Sequence, residues 1–285
     1  ATLARREALN LDAPSHTPRN TLRTDVPQPG SRSGLLLCWG DSWLSYELGL
    51  SFGMDLRDWL ANFGYRAPKD FCDWFKWGTV QAMAADSDAF CAALRASITS
   101  SARPRAVLLS GGGNDSTGAK LRALINRRGS GEPVLDAVKV AAHVARLRGH
   151  YETLLRAIAQ VLQDKHAQAL VPVLLHGYDH PIPAGQGLPF KRKWLYRPFV
   201  DAGYTDANGA IDLPVASAAM AGLIDALNLM QIDLQQRFDF VRHVDLRGTI
   251  AAHHAGQALA GWNDDLHPQD DMFKLMAAKV DDAMA

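Results

Sequence analysis

Leu35-Leu36-Leu37-Cys38-Trp39-Gly40-Asp41-Ser42-Trp43 is the stretch that decides the fold. An unbroken apolar run with no polar alternation fits a strand buried on both faces, as in a parallel sheet lying between layers of helices. Directly after it, Leu48, Phe52, Leu56, Trp59 and Leu60 fall at helical spacing, which predicts an amphipathic helix over about 46–62. The alternation recurs along the chain. Ala106 to Leu109 is a second buried-strand run, after a helical stretch from Val80 to about Ser100; Leu170 to Leu175 is a third, after one from about Val134 to Lys165. Phe240 to Asp245 is a weaker fourth, after helix from about Ala216 to Arg237, and a further strand is expected near Phe71 to Phe75. Strands alternating with long helices imply right-handed crossovers and a parallel sheet covered on both faces.

The 285 residues suit one large α/β domain, and 47% hydrophobic with 21% charged residues is an ordinary globular composition. Thirty Lys and Arg balance thirty Asp and Glu. That balance removes the broad attraction on which nucleic-acid binders rely and favours small neutral or amphipathic substrates. Cys38, Cys72 and Cys91 give neither a paired framework nor a zinc spacing. No apolar run is expected to reach the roughly 20 residues that cross a bilayer, and no basic-then-apolar leader opens the chain. Because the sequence starts at Ala1 rather than Met, the compartment stays open, as does the oligomeric state. Residues 1–33, rich in Pro, Arg, Ser and Thr, read as an extended arm ahead of a domain over 34–285. Within that domain, about 177–214 reads as an insert or lid.

In an open parallel sheet the ligand crevice lies at the carboxyl ends of the strands. Three loops meet that rule: Gly40-Asp41-Ser42-Trp43, Gly111-Gly112-Gly113-Asn114-Asp115 and His176-Gly177-Tyr178-Asp179-His180. A serine becomes a nucleophile only beside a base that a carboxylate orients, with separate donors for the oxyanion. Near the C-terminus, Asp264 and His267 are three apart in a turn that can bring them side by side, and Pro268 is expected to start the last helix. Other chemistries fit less well. Gly113 to Gly118 is followed by Ala119 and not by the Lys-Ser/Thr of a P-loop, and Gly111, Gly113 and Ser116 fail the dinucleotide-binding spacing. The GxSxG elbow is absent, since Leu44 stands two residues after Ser42. No histidine pair has the HExxH spacing, and the adjacent His253 and His254 are expected to point apart, so no metal is expected. The aromatics Trp194, Tyr196 and Phe199 among basic residues read as a solvated loop or a lid with anchoring rings.

Gly40-Asp41-Ser42, Gly78, Gly112-Gly113-Asn114-Asp115 and Asp264 to His267 occur in the order that marks the SGNH hydrolase superfamily, which the chain resembles over most of its length. The resemblance implies a three-layer α/β/α sandwich with a flavodoxin-like parallel sheet of about five strands. It implies Ser42 as nucleophile, His267 as general base and Asp264 as its orienting carboxylate. The oxyanion would lie among the Ser42 and Gly78 amides and the Asn114 side chain, with Gly64 the rival to Gly78. Trp43 stands where GDSL enzymes carry leucine. Trp43, Asp115, His176, Tyr178 and Asp179 are the candidate substrate-binding residues. The implied activity is hydrolysis of a small-molecule, carbohydrate or lipid ester, with no cofactor. A non-catalytic glycan- or lipid-binding domain of the same type is the alternative reading, and a metal-dependent hydrolase built on the histidines is a further one.

Overall fold

The apolar run forms strand β1 (Leu36–Gly40), buried along its whole length. The computed structural model describes residues 26–46, 53–99, 103–164, 171–186, 194–254 and 258–285. β1 pairs in parallel with β2 (Ala106–Ser110), β2 with β3 (Val173–His176) and β3 with β4 (Val241–Val244). The strand expected near Phe71 to Phe75 is reduced to two isolated parallel bridges, Leu35 with Arg66 and Trp39 with Phe71. Pro68 lies between them and cannot donate to a ladder, while the Asp73 carboxylate accepts from Phe75 N at 2.9 Å and turns the chain into a helix instead. The described sheet therefore has four strands rather than five. With the bridged segment outside β1, the order is flavodoxin-like, and it reverses direction between β1 and β2.

The helices are α1 (Leu56–Phe63), α2 (Trp74–Trp77), α3 (Val80–Ala85), α4 (Ser87–Ser97), α5 (Gly118–Leu124), α6 (Ala137–Asp164), α7 (Tyr196–Asp201), α8 (Leu213–Arg237), α9 (Thr249–His253) and α10 (Asp270–Ala283). They fall into two packed groups. α1 and α10 pack together, and α10 also contacts β3 and β4; α3 and α4 pack on α6, which packs on α8. Two differences from the sequence reading have local causes. The helix expected over 46–62 begins only at Leu56, where Asp55 accepts from Asp58 N, and its residues 47–52 lie outside the described residues. The helix expected from Val80 to Ser100 breaks at Asp86, whose carboxylate is held by Trp77 Nε1 and Lys76 Nζ.

α8 is 25 residues long and includes an 18-residue window of mean hydropathy 1.5, which by length and composition alone would suit a bilayer. Here it packs on β4 and α6 and buries Asn228 and Gln231, which donate to Ile224 O and His176 O. Between α5, α7 and the first half of α8 lies a satellite core built from Leu121, Leu195, Phe199, Ala216 and Met220. It anchors residues 195–211, which fall in the stretch expected to be an insert. Most of the expected arm, residues 1–25, lies outside the described residues. Its described end is bound to the domain: Gly30 N and Arg32 N donate to Asn62 O and Phe63 O, and the Arg32 guanidinium makes a two-point contact with Asp281 on α10.

Candidate active site

β1 and β2 end level, with Gly40 opposite Ser110, so the loops after them leave the sheet at the same height and at the point where the strand order reverses. Only glycine fits at position 40, because a Cβ there would lie 2.0 Å from Ser110 O. Asp41 N donates to Ser110 O and Leu44 N to Asp41 O, which closes a turn with Ser42 inside it. The buried Asp41 carboxylate fixes that turn from three sides. It accepts from Ser110 Oγ at 2.6 Å, Trp43 N at 3.1 Å and Tyr178 OH at 2.5 Å. After β2, Gly112 takes φ +104°, a left-handed value open to glycine, and the chain turns into a short 3₁₀ segment, Asn114–Ser116.

His267 reaches Ser42 from 225 residues away in the chain: Ser42 Oγ and His267 Nε2 are 2.8 Å apart and buried. His267 Nδ1 lies 2.9 Å from Asp264 Oδ1, which also accepts from His267 N and Leu266 N. A carboxylate can only accept, so the ring proton sits on Nδ1 and Nε2 is left to accept from the serine hydroxyl. Pro268 does not start the last helix as expected. It pairs with Trp262 in an antiparallel bridge that closes the Asp264 turn, and α10 begins at Asp270. The imidazole is held on two sides. Tyr46 stacks on it with centroids 4.0 Å apart and donates its hydroxyl to Asp264 Oδ2 at 2.8 Å, and Trp194 meets it edge-on at 5.8 Å. No sequence signal marks Tyr46, which stands four residues after Ser42 and is brought to Asp264 only by the fold.

Two cavities meet at Ser42 and Asn114. The first is walled mainly by apolar side chains together with Trp43, Tyr178 and Asp179; the second contains Gly78, Thr79, Trp194 and His267. Gly64, the rival to Gly78, is at the end of α1, where its N–H donates to Ala61 O, and lines neither cavity. Of the expected pocket residues, Tyr178 and Trp43 face the first cavity and are also tied down, Trp43 Nε1 donating to Leu266 O at 3.1 Å. Asp179 borders it, but its carboxylate accepts from the backbone of His180, Gly248 and Ile250, and burial pushes its pKa up. Asp115 and His176 are placed differently. Asp115 turns away to accept from Val80 N at the start of α3, and His176 is fully buried beneath Trp43 with Nδ1–H donating to Gly177 O. Neither lines the two cavities. The residue beside Asp264 carries a task that the sequence did not suggest. Asp265 accepts from the backbone of Gly185, Gln186 and Tyr196 and so ties the insert to the His267 turn; burial pushes its carboxyl up to about 6 against those donors.

A second serine–histidine contact tests how much such a pair means. Ser116 Oγ lies 2.9 Å from His143 Nε2, but His143 Nδ1 accepts from the Arg146 guanidinium, so the proton is on Nε2 and the ring donates to the serine. Burial, with the Arg146 charge, pushes this imidazole down to about 4. It offers Ser116 no base. The expectation that His253 and His254 point apart is corrected in part: their rings are 4.9 Å apart, and with Asp271 their ligand atoms lie within 4.8 Å of one another. None of the three lines either cavity beside Ser42.

The chain matches no family model and no curated protein. Among solved structures, BT4096, a gut microbial diltiazem-metabolizing enzyme, is similar with a TM-score of 0.50 at 12% identity, over 91% of this chain and 48% of that one. The chain thus spans about half the length of that protein. A Parabacteroides merdae protein named as a GDSL-like lipase is similar with a TM-score of 0.48 at 13% identity, over 91% of this chain and 98% of that one. AlinE4, an SGNH-hydrolase family esterase, follows at 0.39 and 15%, over 88% and 95%. The likeness to BT4096 is one of fold. In this parallel α/β fold the loops after β1 and β2 and the turn before α10 converge on one edge of the sheet, and Ser42, Asn114 and His267 share one cavity there.

Proposed function

We propose that the protein is a serine esterase that hydrolyses carboxylic esters through an acyl-serine intermediate. The observation that carries this reading is the buried chain Ser42 Oγ, His267 Nε2, His267 Nδ1, Asp264, in the one tautomer that leaves a basic nitrogen facing the hydroxyl. Ser42 Oγ attacks the carbonyl carbon as its proton passes to His267 Nε2, and the imidazolium that forms is stabilised by Asp264. The oxyanion is held by the backbone of Ser42 and Gly78 and by the Asn114 amide, which border the same cavity. Collapse of the tetrahedral intermediate breaks the bond to the alcohol, which leaves with the proton from Nε2. A water then gives its proton to His267 and attacks the acyl carbon, and the bond to Ser42 Oγ breaks as Oγ takes that proton back from Nε2, which releases the acid and restores Ser42.

Each step uses groups of the chain, so the reaction calls for no cofactor. Ser42→Ala is expected to lower kcat for 4-nitrophenyl acetate by about a thousandfold or more, with an unchanged circular dichroism spectrum. A rate close to wild type would sink the proposal. Covalent labelling by a fluorophosphonate, lost in Ser42→Ala, separates an activated serine from a pocket that only binds.

A further inference from the structure

Any ester presents two halves to Ser42, and only one of them needs His267. The departing alcohol takes its proton from Nε2, so it must lie on the imidazole side, and the acyl group lies on the other. The two cavities at Ser42 divide in the same way. The one that contains His267 has a volume of about 270 Å³ and is bordered by Phe75, Lys76 and Trp194; Phe75 on its rim is 81% exposed. The other lacks His267 and has about 30 Å³ between Trp43, Tyr178, Leu195, Met220, Ile224 and Trp262. On this measure one water needs about 10–15 Å³, so the narrow side has room for about two such units.

Resting on the esterase reading above, we infer that the enzyme acts on acetyl esters of bulky alcohols, with the acetyl group in the narrow cavity and the alcohol in the wide one. The walls of the narrow cavity resist expansion. Trp43 is pinned through its indole to Leu266 O and Tyr178 through its hydroxyl to Asp41, so neither swings aside without breaking a buried hydrogen bond. Ile224 and Met220 project from α8, a helix that is itself packed on β4 and α6. A longer acyl chain therefore meets ordered side chains, and interiors so packed do not give by a methylene at no cost.

The test is the acyl-length profile of the wild-type enzyme on 4-nitrophenyl acetate, butyrate and hexanoate, together with phenyl and 1-naphthyl acetate. The value of kcat/KM is expected to fall at least about tenfold from acetate to hexanoate, while naphthyl acetate is cleaved no more slowly than phenyl acetate. Ile224→Ala is expected to shift the optimum from acetate to butyrate. A wild-type profile that is flat or rises towards hexanoate overturns the inference while leaving the esterase reading in place, as does a marked preference for phenyl over naphthyl acetate. Absence of any cleavage, with no fluorophosphonate label on Ser42, defeats the esterase reading and this one with it. The wild-type series stands by itself should Ile224→Ala fail to fold.

Discussion

At the scale of single residues, proton placement separates the two serine–histidine contacts. His267 has a carboxylate on Nδ1, and His143 has a guanidinium there. The same distance to a serine then means an acceptor in one case and a donor in the other. Tyr46 adds to the first of these by covering one face of the imidazole and donating to Asp264. It acts through Asp264 and His267, so it is a positioning residue. Tyr46→Phe keeps the ring and removes the donor. It is expected to lower kcat about three- to tenfold with KM unchanged, and Tyr46→Ala to lower it further. Steady-state kinetics on one short ester checks this; equal losses in the two variants would assign the effect to the hydroxyl alone, and a change confined to KM would exclude a positioning role.

At the scale of elements, β4 and α8 are joined by a group that makes the fold sensitive to acid. His243 on β4 is within 2.9 Å of Asn228 Oδ1 on α8, and Asn228 is oriented by its own bond to Ile224 O. Burial pushes the His243 imidazole down to about 4, whereas an unfolded chain has it near 6.5. Between those values the unfolded chain takes up a proton that the folded one refuses, so stability is lost as pH falls through this window. His143 shifts in the same direction. Urea denaturation at pH 7 and pH 4.5 should show the wild type losing about 2 kcal/mol more than His243→Gln over that interval. Equal losses would mean that His243 is not held neutral. Elements also show where sequence reading succeeded. β1, β2 and α6 were legible because continuous apolar runs and a 3.6-residue period are local signals. The fifth strand was misjudged because Pro68 and the Asp73 cap outweigh the apolar character of Phe71 to Phe75, and α3 and α4 were merged because nothing in the periodicity reveals that Trp77 holds Asp86.

At the scale of the whole molecule, α10 collects contacts from distant parts of the chain. Asp281 is almost fully buried and accepts from the Arg32 guanidinium at two points and from Tyr65 OH at 2.8 Å. Asp281→Ala leaves a buried tyrosine hydroxyl without its acceptor and frees the segment around Arg32. The expected cost is about 2–3 kcal/mol in unfolding free energy, seen as a lower urea midpoint, with kcat/KM at 25 °C unchanged because Asp281 lines neither cavity. An unchanged midpoint would show that this tie contributes nothing net.

The amino-acid sequence by itself determined the alternation of buried strands and helices, the glycines that the turns after β1 and β2 require, and the residue types at the candidate site. Each of these is a property of a few neighbouring residues. Only the tertiary structure decided that His267 meets Ser42, that Gly78 and not Gly64 faces the same cavity, that Asp115 and His176 are turned to other tasks, and how little room the narrow cavity leaves. Those outcomes depend on side chains from segments far apart in the chain filling one space, and no local pattern encodes which of them will arrive there.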